Sequence, residues 1–138
     1  MALTLSVGCN TSVVPIADAV TLTVGTFGTA SNGRLNAGET GAGKYPMGII
    51  TGPADGTSLT GNTAGTVKAA VESGVTILTD VVGASALTNH LAPVYIATAT
   101  TLTLSDPGSS IKCGFVKEWV SGTKCKVYLY TPAEILAL

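Results

Sequence analysis

The stretch Gly38-Glu39-Thr40-Gly41-Ala42-Gly43-Lys44 satisfies G-x-x-x-x-G-K, the pattern in which backbone amides and a lysine cradle nucleotide phosphates. Such a loop works between a buried strand and a helix whose N-terminus faces the phosphate, with Ser or Thr after the lysine for Mg²⁺. Here the next residue is Tyr45, the stretch 32–37 before it reads as polar, and Pro46 blocks a helix in that register. No nucleotide site is expected. His90 is the only histidine, so any Ser-His-Asp or Cys-His arrangement must use it. It lies near Asp80 in sequence but in no nucleophile motif, and no Gly-x-Ser-x-Gly occurs. The carboxylates Asp18, Glu39, Asp55, Glu72, Asp80, Asp106, Glu118 and Glu134 are dispersed, mostly at turns, where Asp caps backbone amides. They form neither an acid/base pair nor a Ca²⁺ loop. Cys9, Cys113 and Cys125 are odd in number, without Cys-x-x-Cys or a nearby His, and read as free thiols rather than a disulfide framework or zinc site. The sequence thus predicts no enzyme, and no catalytic, cofactor-binding or metal-binding residue.

What the residues do build is strands. Residues 3–7, Leu-Thr-Leu-Ser-Val, alternate with period two and read as a short strand or an extended arm. Residues 19–27 alternate again, with Val20, Leu22 and Val24 on the buried face and Thr21 and Thr23 outside. The glycine-rich residues 28–44 read as a long surface loop, and residues 52–65 as a second one after the apolar run 47–51. Two β-branched runs, 66–71 and 75–79, flank Glu72-Ser73-Gly74 as a hairpin would. Strands follow at 94–97 and 101–104, with Asp106-Pro107-Gly108 as a turn. The last hairpin joins 112–120 to 123–131 through Ser121-Gly122. This register sets Gly114 opposite Leu129, Val116 opposite Val127 and Phe115 opposite Tyr128. It also sets Lys117 opposite Lys126, a like-charge cost that points to a bulge, a shifted register or an acidic neighbour. The tail from Pro132 allows one short helical turn. Met47-Gly48-Ile49-Ile50 and Cys113-Gly114-Phe115-Val116 share a form, which suggests a two-fold internal repeat.

The 138 residues fit one domain of ordinary size, and 7 Lys+Arg against 8 Asp+Glu leave a net charge of −1. With no basic excess and 5% aromatics, a nucleic-acid surface is not expected. Mean hydropathy is +0.47, yet Thr, Ser and Gly interrupt every apolar run before it could span a membrane. Charged residues make up only 11%, so the surface consists mostly of Thr, Ser, Gly and Ala, which suits burial in an assembly. Gly8-Cys9 lacks the basic and apolar segments of a lipoprotein signal, and a mature cytosolic start is expected.

Residues 66–132 carry a β-run with Gly74-Val75, then Ala92-Pro93-Val94-Tyr95-Ile96-Ala97, Thr101-Leu102-Thr103-Leu104, Cys113-Gly114-Phe115-Val116 and Val127-Tyr128-Leu129. Together with Pro46-Met47-Gly48-Ile49-Ile50-Thr51 upstream, this succession resembles the capsid decoration (cement) proteins of tailed bacteriophages. Where that family commonly has glycine and aspartate before its valine-tyrosine strand, this chain has Leu91-Ala92-Pro93. The resemblance implies an all-β fold: a single small β-barrel or β-sandwich with long Gly-rich loops. Residues 1–12 would be an N-terminal arm or first strand, and 13–138 a single β domain. It also implies a homotrimer on the capsid exterior of the virion, made in the host cytoplasm, that clamps major capsid protein subunits at local three-fold axes. No cofactor, nucleic acid or membrane is implied. Leu3, Leu5 and Val7 form an apolar stripe able to add to a neighbour's sheet edge, and are the expected capsid or subunit contacts. The alternative is a carbohydrate- or cell-surface-binding β module of a tail fibre or adhesin, using Tyr45, Trp119, Tyr128 and Tyr130; a small hydrolase around His90 comes third.

Overall fold

The structure, a computed structural model, describes residues 10–52 and 56–138. With 52% strand and 6% helix, the protein is all-β and contains a small five-stranded barrel. In chain order the strands are β1 (Asn10–Pro15), β2 (Thr21–Thr23), β3 (Phe27–Ser31), β4 (Arg34–Ala37), β5 (Tyr45–Ile50), β6 (Ser58–Thr60), β7 (Lys68–Ser73), β8 (Thr76–Val82), β9 (Pro93–Thr98), β10 (Thr101–Thr103), β11 (Gly114–Ser121) and β12 (Lys124–Leu129). A 3₁₀ turn, Leu87–Asn89, precedes β9, and α1 (Pro132–Leu136) closes the chain.

The two halves repeat one wiring. The first sheet has the order β1-β7-β5-β3-β4 and the second β8-β12-β11-β9-β10, so strands in corresponding chain order pair with corresponding neighbours. In the second half β10 returns to β8 in parallel, Leu102 beside Val81, and closes the barrel. In the first half the sheet's two ends meet at a parallel bridge between Ile16 and Leu35, where the Ala17 N–H donates to the Leu35 carbonyl at 2.9 Å. Registers correspond as well. Gly25 N–H donates to Ile50 O and Ile50 N–H to Thr26 O, as Leu91 N–H donates to Val116 O and Val116 N–H to Ala92 O. Gly25 and Leu91 both take positive φ, 98° and 66°, the second at a side-chain cost that the shared geometry imposes. The Met-Gly and Cys-Gly echo marks this repeat: a Cβ on Gly48 would overlap the Glu72 carbonyl oxygen, and one on Gly114 the Tyr128 carbonyl oxygen.

Each half has its own core. Ile16, Leu22, Val24, Leu35, Ile50, Ala69 and Val71 fill the first; Val81, Val94, Ile96, Leu102, Val116, Cys125, Val127 and Leu129 belong to the second. β3 and β5 join them. Phe27 belongs to the second core although its strand is in the first sheet, and Ile49 packs beside it, while Ile50 faces the first core. The Phe27 N–H donates to Ala99 O at 2.8 Å, and Gly38 fits so tightly against Ile96 and Ala99 that a Cβ would come within 2.9 Å and 3.1 Å of them.

Several expectations need correction. Residues 28–44 are not one loop: Asn32 and Gly33, both at positive φ, make a two-residue turn that pairs β3 with β4, and only residues after Ala37 leave the sheet. The alternation at 19–27 has the expected faces, with Leu22 and Val24 buried and Thr21 and Thr23 exposed, but the strand ends at Thr23 and gives way to a turn at Val24 and Gly25, the latter at positive φ. β7 and β8 do not form a hairpin. At Gly74 the chain changes sheets, its N–H donating to Leu129 O, so β7 pairs with β1 and β5 while β8 pairs with β12 and β10. The final hairpin keeps the expected Gly114, Phe115 and Val116 pairs, then bulges, which sets Glu118 rather than Lys117 opposite Lys126, with Nζ and Oε2 3.2 Å apart. The bulges also move the turn to Gly122-Thr123.

Candidate functional site

The G-x-x-x-x-G-K loop leads into β5, with Pro46 buried in that strand, and no helix follows. Lys44 pairs with Glu39 at 3.1 Å, and Gly41 N–H donates to Ser110 Oγ at 3.0 Å, tying the loop to the second half. Both the cation and one amide that a phosphate would use are engaged. ATP with Mg²⁺ is therefore expected to leave the melting temperature unchanged; a saturable upward shift in a thermal titration would contradict this.

Lys44 also borders a polar cleft of about 480 Å³ shared with Asp18, Asn32, Arg34 and Asn36. Arg34 is a clasp there: its guanidinium donates to the carbonyls of Ile16, Asn62 and Thr63 at 3.4, 3.1 and 3.2 Å, holding residues 62–63 against β4. Asp18 accepts the Thr63 hydroxyl at 2.9 Å. His90 is exposed after the 3₁₀ turn and, among the described residues, no side-chain hydrogen bond joins it to Asp80. Asp80 instead accepts from Thr123 and pairs with Lys124 at 3.3 Å; these bonds hold its carboxyl below the usual range. Cys113 and Cys125 are buried, and burial pushes the Cys113 thiol up to about 12. No three His, Cys, Asp or Glu side chains converge among the described residues.

The aromatic side chains do converge. Phe115, Tyr128 and Tyr130 stack on the outer face of the last hairpin, with ring centroids 5.5 to 6.1 Å apart. The Tyr128 hydroxyl donates to Glu134 Oε1 at 2.6 Å, and the same oxygen accepts the Thr131 N–H at 3.0 Å, completing a capping box on α1. The Tyr128 hydrogen bond, with smaller help from Thr131, holds the Glu134 carboxyl below its usual range, and the same bond first, then burial, pushes the Tyr128 phenol up to about 12. A lowered carboxylate pKa stabilises the fold above pH 4.5 and loses that contribution as pH falls through the folded value. The raised phenol contributes below pH 10.0 and loses it as pH rises toward 12. Glu134→Gln is expected to flatten the acid limb of a stability-versus-pH curve, measured by urea unfolding between pH 3 and 6. A second groove, apolar and about 200 Å³, lies between β5 and α1, bordered by Tyr45, Met47, Ile135 and Leu136.

The expected contact residues Leu3, Leu5 and Val7 lie outside the described residues. Exposed large apolar side chains instead mark the described surface, including Val13, Leu78, Val82, Leu87, Leu91, Val120 and Leu136. Leu87 and Leu91 carried no periodic signal, since they sit in an irregular connection. Comparison with family models, with curated proteins and with solved structures gave no match.

Proposed function

We propose that the protein is a structural capsid decoration (cement) protein, binding the outside of an expanded phage head as a homotrimer at local three-fold axes and stabilising contacts between major capsid protein subunits. The observation that carries this reading is the charge-poor surface: large apolar side chains such as Leu78, Leu87 and Leu91 stand exposed on a chain with only 15 ionised side chains among Lys, Arg, Asp and Glu, 7 plus 8. Such a surface is suited to being covered. Of the segments on which the resemblance rests, Val94 to Ala97, Thr101 to Leu104, Cys113 to Val116 and Val127 to Leu129 lie in or beside the closed barrel, whereas Pro46 to Thr51 and the run from residue 66 to 73 lie in the first sheet. The mechanism is mass action, because a partner that binds only the assembled shell lowers its free energy. Mixing purified protein with undecorated expanded capsids tests it: density at the local three-fold positions and a higher melting temperature of the heads are expected, and bare capsids at saturating protein would refute it.

The Phe115, Tyr128 and Tyr130 cluster favours a second reading, a carbohydrate-binding module of a tail fibre or adhesin, since aromatic faces stack on sugar rings. A glycan-array hit without shell binding would select it.

A further inference from the structure

The polar cleft beside β4 is built around Arg34, the only arginine of the chain. Arg34 is half-buried, and its bonds go to neutral carbonyls: Nη1 donates to Ile16 O and Asn62 O, and Nη2 to Thr63 O. Lys44, Lys124 and Lys126 each pair with a carboxylate, but among the described residues none stands within ion-pair distance of Arg34. A guanidinium carries five N–H donors, so these three bonds leave Nε–H and one Nη2 hydrogen. Those two form the side edge that grips a carboxylate in a two-pronged pair. The three carbonyls hold the guanidinium in one position, so little freedom is left to lose when that edge is filled. Asp18 spends Oδ2 on the Thr63 hydroxyl and keeps Oδ1 as an acceptor. Asn32, at the β3–β4 turn, and Asn36, on β4, also border the cleft, and among the described residues neither side-chain amide has a hydrogen-bond partner.

We propose that this cleft binds a sugar acid, a hydroxyl-rich ring bearing one carboxylate, with the carboxylate on the side edge of Arg34 and the ring hydroxyls on Asp18, Asn32 and Asn36. Ligand sites of comparable size are lined mainly by apolar groups, whereas this one presents amides, a carboxylate and a guanidinium, so its ligand must carry hydrogen-bonding groups along its length. Each ring hydroxyl is both donor and acceptor, and each amide offers both in return. Asp18 Oδ1 accepts only, which suits a hydroxyl and repels a second negative charge. A doubly charged anion such as phosphate is therefore disfavoured, and Lys44, neutralised by Glu39, does not offset that repulsion. A neutral sugar leaves the Arg34 edge unpaired, and a simple carboxylate leaves the amides unpaired; the sugar acid satisfies both. The site shares no residue with the Phe115, Tyr128 and Tyr130 cluster, and the proposal stands whether or not the protein decorates a capsid.

Amide chemical shifts of the full chain, followed by nuclear magnetic resonance during titration with sodium D-glucuronate at constant ionic strength, test it. The amides of Asn32, Arg34, Asn36 and Thr63 should move together and saturate below about 50 mM, and D-glucose, acetate and inorganic phosphate should each bind roughly tenfold more weakly or worse. Asn36→Asp places a second carboxylate in the cleft and should weaken glucuronate roughly tenfold or more. The titration of the unaltered protein decides the matter even if that variant fails to fold. Shifts that do not saturate, shifts centred on other residues, or glucose, acetate or phosphate moving the same amides as tightly as glucuronate would each overturn the proposal. So would a folded Asn36→Asp protein that binds glucuronate like the unaltered chain.

Discussion

Gly114→Ala is expected to destabilise the protein by about 3 kcal/mol or more, among the largest single-residue effects in the chain. The added methyl group would overlap the Tyr128 carbonyl oxygen, which is backbone of the strand paired with β11. No rotamer change relieves that, so β11 and β12 must separate at the pair that begins their ladder. Gly48→Ala meets the Glu72 carbonyl in the same way and adds a φ of 95°, so its cost should be at least as large. Gly122→Ala is the control: its φ is positive but no atom lies within 4 Å of the new methyl, and about 1 kcal/mol is expected. Urea unfolding of the three variants checks the order. A Gly114→Ala protein as stable as Gly122→Ala would mean that the two strands do not approach as described.

Phe27→Ala is expected to cost about 3–5 kcal/mol and to divide one unfolding transition into two. Phe27 is 7% exposed and lies in the core of the second barrel while its backbone belongs to the first sheet, so it is the main apolar tie between them. Removing it leaves Ile49, the Gly38 contact, the β5–α1 contact and three hydrogen bonds, from the Phe27, Gly41 and Gly74 N–H groups to Ala99 O, Ser110 Oγ and Leu129 O, as ties, and each half keeps its own core. Trp119 packs against the second core alone and reports on that half, whereas far-ultraviolet circular dichroism reports on both. The two signals should coincide on heating the unaltered protein and separate in the variant. Coincident transitions in Phe27→Ala would show that the halves are coupled elsewhere.

The parts of the fold that were legible in the sequence are local. Three cross-strand pairs of the last hairpin follow from alternation, and the Lys117-Lys126 clash signalled the bulge that brings Glu118 to Lys126. The short helix is the turn that the tail from Pro132 allows, while its Thr131–Glu134 capping box became visible only in the structure. Glycine density hid the β3–β4 hairpin, because Asn32-Gly33 is a hairpin turn only when the flanking residues, here Ala30 and Leu35, find a sheet. Glu72-Ser73-Gly74 misled for the opposite reason: its spacing suits a hairpin, but Leu129, more than fifty residues away, takes the Gly74 N–H and divides the strands between sheets. The repeat was legible only at Gly48 and Gly114, the positions where backbone contact forbids any other residue; elsewhere many β-branched side chains satisfy the same pairing.

Each half is contiguous in the chain: β1 to β7 end at Ser73, and β8 to β12 begin at Thr76. Synthesis from the N-terminus therefore delivers all strands of the first half before any strand of the second, at roughly 5–20 residues per second. For those seconds Phe27 and Ile49, destined for a core that does not yet exist, stand on the outside of an otherwise complete sheet. A second barrel emerging from a neighbouring ribosome on the same message presents the same partner surface as the chain's own. The short tether through Gly74 and Val75 gives the chain's own barrel the higher local concentration, and lengthening that tether would favour exchanged dimers formed during translation.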